Sequence, residues 1–220
     1  MYGLPESTTV DRKIPKKKFY ENLNVSPSLK RSFVEEIQAI YWSNKIAPST
    51  VNIQEGNSVK ELEVFTIELN GDTLNEAVLR QIDREIPYHI LFVLQFEEAV
   101  QSWIAYKESS GNNQTAFRVE KYYHSDWQKD YRINLEGLNM DEFYENVVRH
   151  IAGESFENLV LTQGESLHET VERESLAQQL ESKIEKLQKQ LRKEKQLNKQ
   201  FEISGRIRII KEELRALRNG

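Results

Sequence analysis

The sequence predicts an α+β fold: a small, mostly antiparallel sheet flanked by helices, followed by a long C-terminal helix or helical hairpin of coiled-coil type. Three observations predict it. Apolar, strand-like runs cluster between residues 61 and 123. Helix-period segments lie mainly to either side of that cluster, which suits α+β better than a repeating βαβ unit. A 3-4 spacing of apolar residues then sets in beyond residue 165. The organisation expected is an extended N-terminal segment over 1–27, an α+β body over 28–163 and a basic coiled-coil arm over 164–220.

The lead-in is punctuated by Pro5, Pro15 and Pro27, with Lys16, Lys17 and Lys18 before Phe19 and Tyr20. A helix is expected from Pro27 to about Asn44, capped by Ser26 and buried along Phe33, Ile37, Ile40 and Tyr41. Glu61–Leu69 reads as a strand, bulged or buried on both faces. Asn70-Gly71-Asp72 is a turn, and Asp72 or Thr73 caps a helix carrying Leu74, Val78, Leu79 and Ile82 that Pro87 stops. Tyr88–Phe96 is apolar on both faces and should be a central strand. Glu97-Glu98 forms the hairpin tip to a strand over Val100–Lys107. A loop at Gly111-Asn112-Asn113 leads to a strand over Phe117–Tyr123. Asp141–Ile151 carries Phe143, Tyr144, Val147 and Val148 on one helical face, and Gly153 ends it.

In the arm, Ala177, Leu180, Ile184, Leu187 and Leu191 step by threes and fours. Glu194 and Asn198 fall on the next seam positions. Ile203, Ile207, Ile210, Leu214 and Leu217 then resume in another phase. One long helix with a register discontinuity fits, and so does a hairpin folding near Asn198–Gly205. The single helix is preferred, because a glycine inside a helix costs only about 1 kcal/mol.

Charge separates the two regions. Residues 181–220 hold twelve Lys or Arg against six Asp or Glu, whereas the whole chain is −5. An acidic body therefore ends in a basic arm. A polar helix with a narrow apolar stripe needs a partner: a copy of itself, another protein or a polyanion. The partner-binding residues expected are Leu180, Ile184, Leu187, Leu191, Ile203, Ile207, Ile210, Leu214 and Leu217. For nucleic acid, the phosphate-contacting candidates are Lys16, Lys17, Lys18, Lys186, Lys189 and Lys193.

The chain has no cysteine, which excludes disulfides, thiolate metal sites and a cysteine nucleophile. No apolar run is long enough to span a bilayer, so a cytoplasmic protein without a membrane partner is expected. Nothing names a reaction or a cofactor. The glycine-rich phosphate loops and the Gly-x-Ser-x-Gly turn are missing, and His89, His124, His150 and His168 are scattered. His124-Ser125-Asp126 brings two metal-ligand types together without an evident third. A metal-dependent nuclease places an acid on one strand and an acid-x-Lys triplet on the next. Glu68 and Lys107 are the nearest candidates here, but Ala105 stands where the second acid belongs. Trp103, Tyr106, Tyr122, Tyr123, Trp127 and Tyr131 could stack on bases only if they shared an open face; core and rim roles are the simpler expectation.

Several segments resemble a bacterial domain family of unknown function. They are Gly3-Leu4-Pro5, Ile14-Pro15-Lys16 before Phe19-Tyr20, Ile82-Asp83-Arg84-Glu85-Ile86-Pro87-Tyr88, the strand Ile90–Leu94, Ala105-Tyr106-Lys107 and Lys195-Gln196-Leu197-Asn198. The resemblance spans essentially the whole chain. It implies a gene beside ATP-dependent helicases and DNA methyltransferases of restriction-like, phage-defence clusters, and hence an accessory role. It supplies no catalytic residues. The function expected is a non-catalytic accessory or adaptor subunit of a DNA restriction or phage-defence assembly, docking a helicase or methyltransferase through the arm. The alternatives are a nucleic-acid-binding protein and a divergent nuclease.

Overall fold

The computed structural model describes residues 2–21, 23–109, 117–160 and 164–219. The chain divides into two compact units, Met1–Ala152 and Gly153–Gly220. The expected boundary at 163/164 abuts residues outside the described set, and the predicted Gly111-Asn112-Asn113 loop lies outside it.

The first unit is built on one six-stranded sheet whose spatial order is the chain order. Its strands are β1 (Thr9–Ile14), β2 (Ile37–Ile46), β3 (Leu62–Leu69), β4 (His89–Phe96), β5 (Ala99–Ser109) and β6 (Phe117–His124). Every neighbouring pair is antiparallel except β3 and β4, which run parallel. A parallel pair needs a crossover, and α2 (Glu76–Glu85) supplies it. The Asn75 side chain caps α2 by accepting from the Ala77 N–H at 3.0 Å, three residues beyond Asp72. β4 and β5 meet across Glu97-Glu98, with Glu97 in the left-handed region (φ 52°).

β1 shows that the lead-in is not merely extended. It is an edge strand on β2, kinked where Asp11 takes φ 46° and the register slips between Thr9 and Arg12.

The largest departure from expectation is at residues 37–46. Helix α1 (Pro27–Glu35) is capped by Ser26 as expected but ends at Glu35, and Ile37–Ile46 is β2. A bulge between Ile37 and Ala39 explains why this strand has a helical signature. The extra residue puts Ile37 and Ile40, three apart, into the same core, so the period of two is broken where a helix would continue. β-Branched and aromatic residues, with partners on both edges, make the strand the better solution.

α1 and α2 cover one face. Phe33, Ile37, Ile40, Phe65, Phe92 and Leu79 belong to the cluster beneath them. The alternate β4 residues His89, Leu91 and Val93 are also buried, so this strand is covered on both sides as its sequence demands. α3 (Met140–Ile151) lies against β5 and β6 and sets Tyr144 on the ring of His89, 4.5 Å between centroids.

In the second unit, a short α4 (Gly153–Phe156) precedes α5 (Leu167–Lys193) and α6 (Leu197–Asn219). Ser166 and Glu169 form a capping box at the start of α5. The arm is therefore a helical hairpin, not one long helix, and it turns at 194–196, upstream of the expected Asn198–Gly205. The reason is Glu194. A carboxylate on the seam is costly, whereas at the turn it accepts from the N–H groups of Lys195 (2.8 Å) and Gln196 (2.9 Å), beside the positive end of α6. Gly205 stays inside α6. The Arg218 guanidinium meets Glu181, fixing the helices antiparallel. Among the described residues no helix is long and apolar enough to cross a membrane.

Candidate functional site

Two segments quoted above for the family resemblance, residues 82–88 and 105–107, converge on one buried ion pair. Lys107 reaches from β5 to Asp83 on α2, Nζ to Oδ1 2.7 Å, with both side chains almost wholly buried (3% and 0% exposed). Nζ also donates to the Tyr88 carbonyl at 2.6 Å. The Tyr122 hydroxyl of β6 donates to Asp83 Oδ2. Burial holds the Asp83 carboxyl above the usual carboxylate range, with Lys107 and Tyr122 pulling against it. The Tyr122 hydroxyl is pushed far up by the same burial and by the Asp83 charge.

Backbone geometry presents Lys107 to Asp83. The β5–β6 register slips between Tyr106 and Lys107. β4 stops pairing with β5 at Leu91 and Ile104, and just beyond it the Tyr144 hydroxyl donates to the Ala105 carbonyl at 2.6 Å. The same hydroxyl accepts from the Lys107 N–H at 3.2 Å. Tyr144 thus satisfies two backbone groups that the sheet leaves behind.

Beside the pair, His89 lies between the rings of Phe117 and Tyr144, at 4.6 and 4.5 Å. Burial first, and the Lys107 charge second, push its pKa down to about 3, so it is neutral. Glu63, buried on β3, accepts from Trp42 Nε1 at 2.5 Å. Burial, aided by neighbouring Glu61, lifts its carboxyl to about 7. Lys45 pairs with Glu61. A cavity of about 400 Å³ opens over the Asp83–Lys107 pair, and its walls include Arg80, Arg84, Phe117 and Arg118.

The residues predicted for a nuclease do not meet. Lys107 takes its carboxylate from Asp83, on a helix, rather than from Glu68. Glu68 pairs with Gln95, six residues along β4 from the His89 end, roughly 20 Å at the usual strand rise. His124 is exposed and stacks on Trp103 at 4.5 Å. Among the described residues no group of three or more His, Cys, Asp or Glu could hold a metal. Tyr106, Tyr122 and Tyr123 are buried, and Trp103 and Trp127 lie against or beside the core, so they do not form an open stacking face.

The lysine triplet is dispersed. Lys16 is drawn onto the Ile37 and Val34 carbonyls at the end of α1, and desolvation lowers its pKa. Lys17 pairs with Glu21 at 3.7 Å, and Lys18 is exposed. In the arm, Lys186, Lys189 and Lys193 are exposed, Lys189 pairing with Glu185 at 2.6 Å.

The nine seam residues come together within one chain. Leu180, Ile184, Ile203, Ile207 and Leu214 are buried against one another, with Leu187, Leu191, Ile210 and Leu217 packed around them. The expectation that this stripe must meet an outside partner therefore changes: α5 and α6 cover each other's stripes. What α6 leaves open is its other side, where Leu197, Phe201 and Ile209 are 64%, 69% and 62% exposed.

No curated protein and no solved structure matches the chain. A family model does, over residues 2–214, and the chain belongs to the family described as a domain of unknown function, DUF4391.

Proposed function

We propose that the chain is a non-catalytic accessory subunit that docks an acidic partner protein through the outer side of α6. The observation that carries the reading is the exposed set Leu197, Phe201 and Ile209 on a helix whose seam is already closed. At about 100° per residue these positions lie on the side away from Ile203, Ile207, Ile210 and Leu214. Large apolar side chains held out on one side of a helix favour a protein surface over a phosphate backbone. Over Leu197–Asn219 the helix has six Lys or Arg against three Asp or Glu, which selects an acidic partner. The resemblance supplies the setting: a DNA restriction or phage-defence assembly, with a helicase or methyltransferase as the partner.

The test is co-purification of the full chain from its source cell, with any helicase or DNA methyltransferase in the native complexes identified by mass spectrometry. A stoichiometric complex that the Phe201→Asp, Ile209→Asp chain fails to form supports the reading. Equal assembly by both chains, or none by the unchanged chain, overturns it. The nucleic-acid alternative rests on exposed Lys186, Lys189 and Lys193. It requires duplex-DNA affinity that falls steeply with salt, and a shallower slope in the chain with all three changed to Gln.

A further inference from the structure

We propose that the cavity over the Asp83–Lys107 pair is a nucleotide-binding site. Its volume, about 400 Å³, is that of a small-molecule pocket. Four cations line it, Arg80, Arg84, Lys107 and Arg118, against one acid, Asp83. The carboxylates that accompany the arginines, Glu76, Glu85 and Glu120, are not part of the lining. Arg80 meets Glu76 through Nε at 2.8 Å, and Arg118 meets Glu120 through Nε. Their terminal N–H groups remain to face an anion. A guanidinium fork matches two phosphate oxygens at once, which is why arginine suits this role. Arg80 is also held in place over the Tyr122 ring, 5.2 Å from its centroid.

The remaining wall, Ile86, Pro87 and Phe117, is apolar and includes an aromatic ring, a surface on which a planar base can rest. Lys107 Nζ is already paired with Asp83 Oδ1 at 2.7 Å, so the arginines carry the charge that would face an anion. Phosphates on the arginines and a base on Phe117 together describe a nucleotide.

The experiment is isothermal titration calorimetry of the full chain with ATP, inorganic phosphate and adenosine, in EDTA. ATP is expected to bind more tightly than either fragment, and Arg118→Gln to weaken ATP by about tenfold or more. Arg118 is mostly exposed (72%), so the variant should keep the unliganded melting temperature. Arg80→Gln checks the second fork. Absence of heat with millimolar ATP, adenosine binding as tightly as ATP, phosphate binding as tightly as ATP, or unchanged ATP affinity in Arg118→Gln would each overturn the site.

Discussion

The hydroxyl of Tyr144 bridges the backbone of β5, donating to the Ala105 carbonyl at 2.6 Å while accepting from the N–H of Lys107 at 3.2 Å. One helix side chain thus completes the strand at the point where it turns an ammonium toward Asp83. Tyr144→Phe keeps the ring on His89 but leaves a buried carbonyl and a buried amide without partners. A loss of about 1–3 kcal/mol is expected, read as a lower urea midpoint at constant slope.

The ion pair itself predicts an asymmetry. Asp83→Asn leaves a buried ammonium without its counter-charge and should cost about 3–5 kcal/mol. Replacing both partners, Asp83→Leu with Lys107→Met, should recover most of that loss. Thermal unfolding of Asp83→Leu, Lys107→Met and the double checks it; a double mutant as unstable as the sum of those two singles contradicts the account.

The Gly56 turn depends on Asp141, whose carboxylate accepts from the N–H groups of Asn57 (2.6 Å), Ser58 (3.0 Å) and Val59 (2.7 Å). A Cβ on Gly56 would lie 2.6 Å from Asp141 Oδ1 and 2.6 Å from the Val59 carbonyl oxygen. Gly56→Ala should therefore destabilise by about 1–3 kcal/mol. Amide exchange at residues 57–59 should accelerate more than at β4.

Gly205 is the converse. It lies inside α6, and a Cβ there meets nothing within 4 Å. Gly205→Ala should stabilise the hairpin by about 0.5–1 kcal/mol, seen as a higher melting temperature.

Glu63 and His89 give stability a pH dependence of two signs. The Glu63 carboxyl is lifted to about 7 from 4.5, so the folded state keeps a proton the unfolded chain loses. Its contribution is complete below about 4.5 and disappears as pH rises through about 7. His89 is held down to about 3 from 6.5, so its contribution is complete above about 6.5 and is lost as pH falls toward 3. Urea midpoints between these limits should show the high-pH decline removed by Glu63→Gln and the acid decline eased by His89→Gln.

How much of this was legible differs by kind of signal. β4 declares itself because it is apolar on both faces, and α3 because its apolar residues keep helical spacing. β2 hides because a bulge puts Ile37 and Ile40 three residues apart. The Asp83–Lys107 pair lies in two of the segments that carry the family resemblance, but neither segment shows that the two residues meet. Its members are 24 positions apart, and their meeting depends on the α2 crossover. The available clue was chemical: Asp83 adjoins Ile82 on the apolar side of a helix, and a carboxylate there requires a cation from elsewhere. In the arm the spacing identified the residues that pack together, but it could not say which helix they pack against.

The sheet order has a consequence for how the chain reaches this state. Because strands one to six lie side by side in the order they are made, each new strand finds its neighbour already in place. The passage from β3 to β4, the parallel pair among the described strands, must in addition carry the chain back along the sheet through α2. Such nearest-neighbour growth keeps loop-closure entropy low and suits folding during synthesis, strand by strand from the ribosome.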